Sequence, residues 1–128
     1  MKPNNLKRNP TWFMITDRCP YSGLAITHPE SFVCSDPGSD FNADFIKLGN
    51  NMLLQKSYGY ADIQGEIQLL AFIDGFISKY FKTESEIVYI EDYSGLTGGA
   101  AESRKRFITY FKNNDFVIGI VLCHLPPI

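Results

Sequence analysis

The chain has 128 residues, a formal net charge of −2 and 45% hydrophobic residues, which is typical of one soluble globular domain. The slightly acidic balance argues against a groove for nucleic acid or an anionic membrane patch. No apolar run approaches the ~20 residues of a membrane span, and no secretory signal follows the N-terminal basic residues. We therefore predict a cytoplasmic protein with no membrane insertion by this segment.

The cysteine count argues against a disulfide framework. Cys19, Cys34 and Cys123 are odd in number and show no CxxC spacing, which favours reduced thiols in the cytosol. With only His28 and His124 beside them, a zinc site would need ligands from remote segments. We predict no metal and no cofactor.

Prolines interrupt the apolar clusters of the first 40 residues, where each proline removes a backbone donor. The segments "TWFMIT" (11–16) and "SFVCS" (31–35) can form short strands. We divide the chain into an irregular segment at 1–40 and an α/β unit at 41–128, treated as one domain overall.

The next elements predicted are a hairpin and a helix. Two runs, 45–49 and 52–60, flank the turn-forming residues "GNN", which suits two antiparallel strands. The pattern then changes to a helical period over 62–81, with Asp62 as a plausible N-cap. The apolar positions predict this buried stripe: Ile63, Ile67, Leu70, Ile73, Ile77 and Phe81, widened by Leu69, Phe72, Phe76 and Tyr80.

The last third of the chain alternates strand, loop, helix and strand. The run "IVYIED" (87–92) is continuously apolar at its start, as in a strand buried on both faces. A Ser/Thr/Gly loop follows, and then a helix over 100–114 with Phe107, Ile108 and Phe111 as its buried side. A second continuous apolar run, 116–125, predicts another central strand. The order indicates an α/β fold, a mixed β-sheet with helices packed against it.

The loop before the second helix is the candidate functional segment. Free N–H groups at that helix start can bind an anion, and ligands often bind at the carboxyl end of a central strand. However, the loop contains no Lys or Arg and no phosphate-binding motif, and Glu91 and Asp92 just before it would repel phosphate. Ser94 has no base evident in the sequence, so the segment can equally be a structural turn, and a small enzyme is the least supported function.

Residues 55–127 resemble the N-terminal input domain of certain bacterial sensor histidine kinases, a domain similar to the STAS (anti-sigma-factor-antagonist-like) fold. The matching element is the strand that ends Glu91-Asp92-Tyr93-Ser94-Gly95-Leu96, followed by a helix that bears Ser, Arg and Lys. STAS switch proteins carry a phosphorylatable serine shortly after this strand. Here Gly99, Ala100, Ala101 and Glu102 occupy that place, so the resemblance implies no regulatory phosphoserine. STAS-like domains continue past the strand matched here at 116–125, which leads us to expect a fragment or a sheet that finishes early.

Taken together, the resemblance implies a noncatalytic sensory or protein-interaction input domain of a bacterial two-component signalling protein. Its expected partner is a kinase core or another signalling protein, and its final strand could support a homodimer. The alternative is a small-molecule or anion-binding module that uses the 94–100 loop. The candidate ligand- or partner-binding residues are Asp92, Ser94, Thr97, Gly98, Gly99, Arg104 and Lys105.

Overall fold

The computed structural model describes residues 17–19, 22–81 and 86–123. Its elements, in chain order, are β1 (Ile26–Val33), β2 (Asn42–Leu48), β3 (Met52–Ala61), α1 (Ile63–Tyr80), β4 (Ile87–Gly99), α2 (Ala101–Lys112) and β5 (Val117–Cys123). The predicted α/β fold with a mixed sheet is confirmed. The predicted strand at 11–16 lies outside the described residues.

The five strands form one sheet in the order β1-β2-β3-β4-β5. Strands β1, β2 and β3 pair antiparallel, whereas β3 pairs parallel with β4 and β4 pairs parallel with β5. The two parallel pairs are joined through α1 and α2, because parallel neighbours need a crossover connection. The segment 31–35, predicted as a separate short strand, belongs mainly to β1 of this sheet.

The hairpin prediction is confirmed by β2 and β3. Their register runs from Asn42 opposite Tyr58 to Leu48 opposite Met52, and Gly49 in the turn has a φ of 62°, a value that glycine adopts without strain. Leu53, Gln55 and Ser57 of β3 are fully buried, since alternate residues of a strand share one face.

The core lies between the sheet and the two helices and is built largely from aromatic rings. The Phe45 ring of β2 packs against Phe76 of α1, with 5.6 Å between ring centroids. At strand β4, the Tyr89 ring packs edge-on against Phe111 of α2, with 4.7 Å between ring centroids. Such tilted and T-shaped pairs add to the free energy gained from apolar burial. Both helices therefore cover the same face of the sheet.

Helix α1 begins as predicted, and its buried stripe matches the prediction in part. The residues that it buries are Gly65, Glu66, Leu69, Ile73, Phe76 and Ile77. The prediction is confirmed for the last four of these and is wrong for Ile63 and Ile67, which are 40% and 39% exposed. Gly65 lies against the Phe41 ring, where a Cβ would come within 2.7 Å of Phe41 Cδ2.

The N-cap of α1 gives a first testable prediction. Asp62 Oδ1 accepts a hydrogen bond from the Gly65 backbone N–H at 2.6 Å, and Oδ2 accepts one from Ser39 Oγ at 2.5 Å. We expect Asp62→Ala to lower the free energy of unfolding by about 1–2 kcal/mol, since it removes the cap. Asp62→Asn, which keeps the Oδ1 acceptor, should lose less than half as much in urea denaturation. Equal losses in the two variants would contradict the capping role.

Helix α2 buries three residues, of which two are those predicted. Phe107 and Phe111 are buried, and the third is Ser103 instead of Ile108, which is 48% exposed. The prediction for Ile108 is wrong because its side chain borders an open, shallow groove between α2 and β5. On the exposed side of the helix, Arg106 Nε lies 3.8 Å from Glu102 Oε2, four residues away.

The predicted loop after Asp92 is wrong, because residues 93–99 continue strand β4. Tyr58–Ala61 of β3 pair with Gly95–Gly99. The register shifts once just before Tyr58 and once between Gly59 and Tyr60. Glycine permits this close approach: a Cβ on Gly95 would lie 2.6 Å from the Ser57 carbonyl oxygen. The Ser/Thr/Gly residues of this segment, which are typical of a turn, therefore form the glycine-rich end of strand β4.

Strand β5 is an edge strand in the described sheet, so the prediction of a central strand is wrong. It pairs with β4 on one side, and four of its apolar side chains are 42–54% exposed. A run of consecutive apolar residues shows that neither side of the strand is strongly polar, but it does not show whether a second neighbour exists.

Candidate functional site

A cavity of about 60 Å³ lies at the junction of β4, α1 and α2. Roughly 10–15 Å³ of such space holds one water molecule, so several waters or a small ligand group would fit. The lining residues are Phe41, Ala61, Glu66, Glu91, Tyr93, Leu96, Gly98, Gly99, Ala100, Ser103, Arg104 and Phe107. We call this cavity the acid pocket, after its two glutamates.

Glu66 enters the acid pocket from the first turn of α1. It shares the buried face of the helix with Leu69 and Ile73, three and seven residues further on. Only 4% of Glu66 is exposed, and its Oε2 atom has no hydrogen-bond partner among the described residues. The same packing that buries the apolar stripe thus carries a carboxyl group into the interior.

Glu91 enters from β4 and is held by a network of buried polar side chains. Its Oε2 accepts hydrogen bonds from Gln55 Nε2 at 2.9 Å and from Ser57 Oγ at 3.0 Å. The Tyr89 hydroxyl donates to Gln55 Oε1, which fixes the orientation of the amide. The network anchors one oxygen of Glu91, while Oε1 has no partner among the described residues.

Ser103 closes the pocket from the first turn of α2. It is 2% exposed, and its Oγ also has no hydrogen-bond partner in the described part of the chain. The N-cap of this helix, Ala100, makes no side-chain cap. Buried polar atoms are nearly always paired, so three unpaired atoms in one cavity indicate a site for water or for a ligand.

Burial raises the pKa of both carboxyl groups. The pKa of Glu66 rises from 4.5 to about 8 because burial disfavours its charged form. The pKa of Glu91 also rises to about 8, through burial and then the nearby charge of Glu66, although the hydrogen bond from Ser57 and the neighbouring Tyr93 hydroxyl oppose the rise. At neutral pH each acid is therefore mostly protonated, which reduces the cost of burying it.

Tyr93 and Arg104 set the electrostatics on the outer side of the pocket. Burial and the neighbouring Glu91 raise the pKa of the Tyr93 phenol above its usual range, which keeps it a neutral donor. The Arg104 guanidinium is close enough to oppose that rise, and Arg104 is exposed. The pocket is thus acidic inside and has one cation near its rim.

The structure places the seven predicted site residues in two groups. Gly98, Gly99 and Arg104 line the acid pocket. The Oδ1 atom of Asp92 accepts a hydrogen bond from the Ser94 backbone N–H at 2.8 Å, and Asp92 pairs in register with Lys56. Asp92, Ser94, Thr97 and Lys105 do not line the pocket.

Sequence reasoning missed Glu66 and Ser103 and gave Glu91 only the role of repelling phosphate. Glu66 lies three, seven and ten residues before Leu69, Ile73 and Phe76 of the predicted stripe, a helical spacing that places it on the buried face. Ser103 lies four residues before Phe107, which puts it on the same helical face. The places of Glu66, Glu91 and Ser103 in the pocket were missed because buried faces were assumed to carry apolar residues alone.

The groups that catalysis would need are not assembled among the described residues of the pocket. The serine hydroxyl contacts no base within the described residues, so nothing there activates it as a nucleophile. No group of three or more His, Cys, Asp or Glu in those residues has a metal-binding arrangement. The three cysteines are free thiols outside the pocket.

Comparisons with known proteins identify no family for this chain. Protein-family models, curated proteins and solved structures give no match for this chain. None of the helices in the described segments is long and apolar enough to span a membrane.

Proposed function

We propose that this chain is a noncatalytic sensory input domain that binds a small molecule in the acid pocket. The observation that carries the proposal is the group of three buried, unpaired polar atoms around one cavity, on Glu66, Glu91 and Ser103. An unsatisfied buried polar group costs about 1–3 kcal/mol. A stably folded chain that keeps three such groups together is best explained by a ligand that pairs them.

Helix α2 is suited to carry the state of the pocket to a partner. Its residues Ser103 and Phe107 line the acid pocket, while Phe107, Ile108 and Phe111 border a shallow apolar groove against Ile120 and Leu122 of β5. Movement of the first turn of α2 on ligand binding would change this exposed apolar surface. Such surfaces are typical of protein contacts, so a kinase core, another signalling protein or a second copy of the chain would bind here.

The signalling part of the proposal is supported by the resemblance of residues 55–127 to histidine-kinase input domains. The native gene tests it directly. We expect the reading frame to continue into a histidine-kinase core, or a kinase or response-regulator gene to lie beside it. A gene neighbourhood without any signalling protein would contradict this part and leave the binding module as the function.

The binding part is tested with four probes of different charge and hydrogen-bonding character. These are ethylammonium chloride, acetamide, sodium acetate and inorganic phosphate, each titrated into the ¹⁵N-labelled protein and followed by amide NMR shifts. We expect at least one probe to shift the resonances of Gly99, Ala100 and Ser103 with saturation. Lys105→Ala, an exposed change on α2 away from the pocket, should leave that titration unchanged.

The outcome distinguishes the two binding hypotheses. Saturation by phosphate, with shifts centred on the first backbone amides of α2, would favour the anion site at the helix start. The absence of saturable shifts with all four probes up to 10 mM would contradict a small-molecule pocket.

A further inference from the structure

The unpaired atoms of the acid pocket define the chemistry of the group that would fill it. Glu66 Oε2, Glu91 Oε1 and Ser103 Oγ are each buried, with 4%, 3% and 2% of their residues exposed. The Ser103 hydroxyl oxygen can accept a hydrogen bond, and each carboxyl oxygen can do so when it carries no proton. They reach one cavity from three different elements, α1, β4 and α2.

We propose that the acid pocket binds a primary ammonium group through Glu66, Glu91 and Ser103, an inference that rests on the proposed ligand-binding function. A primary ammonium carries three N–H donors and no acceptor, which matches three convergent acceptors. The rings of Phe41 and Phe107 line the same cavity, and aromatic faces attract cations.

Charge balance follows from the two acids. One ionised carboxylate neutralises one ammonium, so a single positive charge can be buried as a pair. The second acid stays protonated and donates or accepts within the pocket. The other charged or titratable groups that act on these acids are Tyr89, Asp92 and Tyr93 of β4, and Arg104 of α2 lines the cavity wall. A carboxylate on the ligand would find its partner in Arg104.

Binding is therefore coupled to proton release. In the empty pocket both acids have a pKa of about 8, so at pH 7 one of them must lose its proton when the ammonium enters. A small alkylammonium stays charged to about pH 10. From pH 6 to pH 8 the fraction of pockets with one acid ionised and the other protonated grows about 25-fold, so the affinity should rise by about the same factor.

The test is isothermal titration of the full chain with ethylammonium chloride at pH 6.0 and pH 8.0. We expect one site, about 25-fold tighter binding at pH 8.0 and release of close to one proton at pH 6, measured in two buffers of different ionisation enthalpy. Glu66→Gln and Glu91→Gln should each weaken binding by about tenfold or more, and Ser103→Ala by less. Glu102→Gln is the matched control: it removes an exposed acid of α2 and should bind like the wild type.

Tetramethylammonium has the same charge but no N–H donor and should not bind. Equal binding of both cations, or an affinity that does not change with pH, would overturn the inference. Acetamide binding without ethylammonium binding would overturn the ammonium inference and leave the proposed binding function standing. If no probe binds, both fail.

Glycine as a further probe distinguishes the source of the ammonium group. Tighter binding of glycine than of ethylammonium, lost in Arg104→Ala, would support an amino acid as the ligand. Equal binding of the two would support a simple amine. In both cases the ammonium group is the part that the acid pocket recognises.

Discussion

Raising the pH from 5 to 8.5 is expected to lower the free energy of unfolding by an amount on the order of 4 kcal/mol for each of Glu66 and Glu91. Both carboxyl groups have a pKa of about 8 in the folded protein, against an ordinary value of 4.5. Between these two pH values the folded state binds more protons than the unfolded state. Stability must therefore fall as the pH rises, with the loss complete above about pH 8.

The measurement is urea denaturation at half-unit steps across this range. Glu66→Gln and Glu91→Gln each remove one titrating acid, so each variant should show a shallower pH dependence and exceed the wild type in stability at pH 8.5. Glu102→Gln, an exposed acid paired with Arg106, should follow the wild-type profile. A flat wild-type profile would show that the two acids are not buried as described.

The pH dependence of stability and the binding of a cation both follow from the free-energy cost of burying ionised carboxylates. Two acids that weaken the fold at high pH are hard to explain by stability alone. A ligand that neutralises one carboxylate should recover part of the loss, because it binds only the folded state. Ethylammonium is therefore expected to raise the unfolding midpoint more at pH 8.5 than at pH 6.

The second large effect is expected at the end of strand β4. Gly95→Ala should lower the free energy of unfolding by about 2–3 kcal/mol, the usual cost of overpacking. The new Cβ would lie 2.6 Å from the Ser57 carbonyl oxygen and 2.6 Å from Tyr58 Cδ1. A backbone oxygen in a strand ladder cannot move aside cheaply, so β3 and β4 would have to separate.

Gly119→Ala in β5 is the matched control, because a Cβ there meets no heavy atom within 4 Å. Its free energy of unfolding should stay within about 1 kcal/mol of the wild type. Similar losses in the two variants would argue that residues 93–99 form a loop after all. Because Leu96, Gly98 and Gly99 line the acid pocket, Gly95→Ala should also weaken binding of any probe that saturates the wild type.

The order of elements from Phe45 onward was predictable from local signals. The hairpin around Gly49, the Asp62 cap and the change from a period of two to a period of 3.6 each depend on neighbouring residues. Such signals act over a few positions, where backbone geometry and side-chain bonding are settled locally. The resemblance to a histidine-kinase input domain and the dimer remain predictions.

The position of each element in the sheet, and the acid pocket itself, were decided by the tertiary structure. The chain could not reveal that β5 is an edge strand, since pairing depends on which neighbour reaches it. Nor could it reveal that Gly95–Gly99 pair with β3 instead of turning. Glu66, Glu91 and Ser103 lie far apart in sequence, and their convergence depends on how α1 and α2 pack on one face of the sheet. Local chemistry determined which elements form, whereas their packing decided which polar groups meet in the interior.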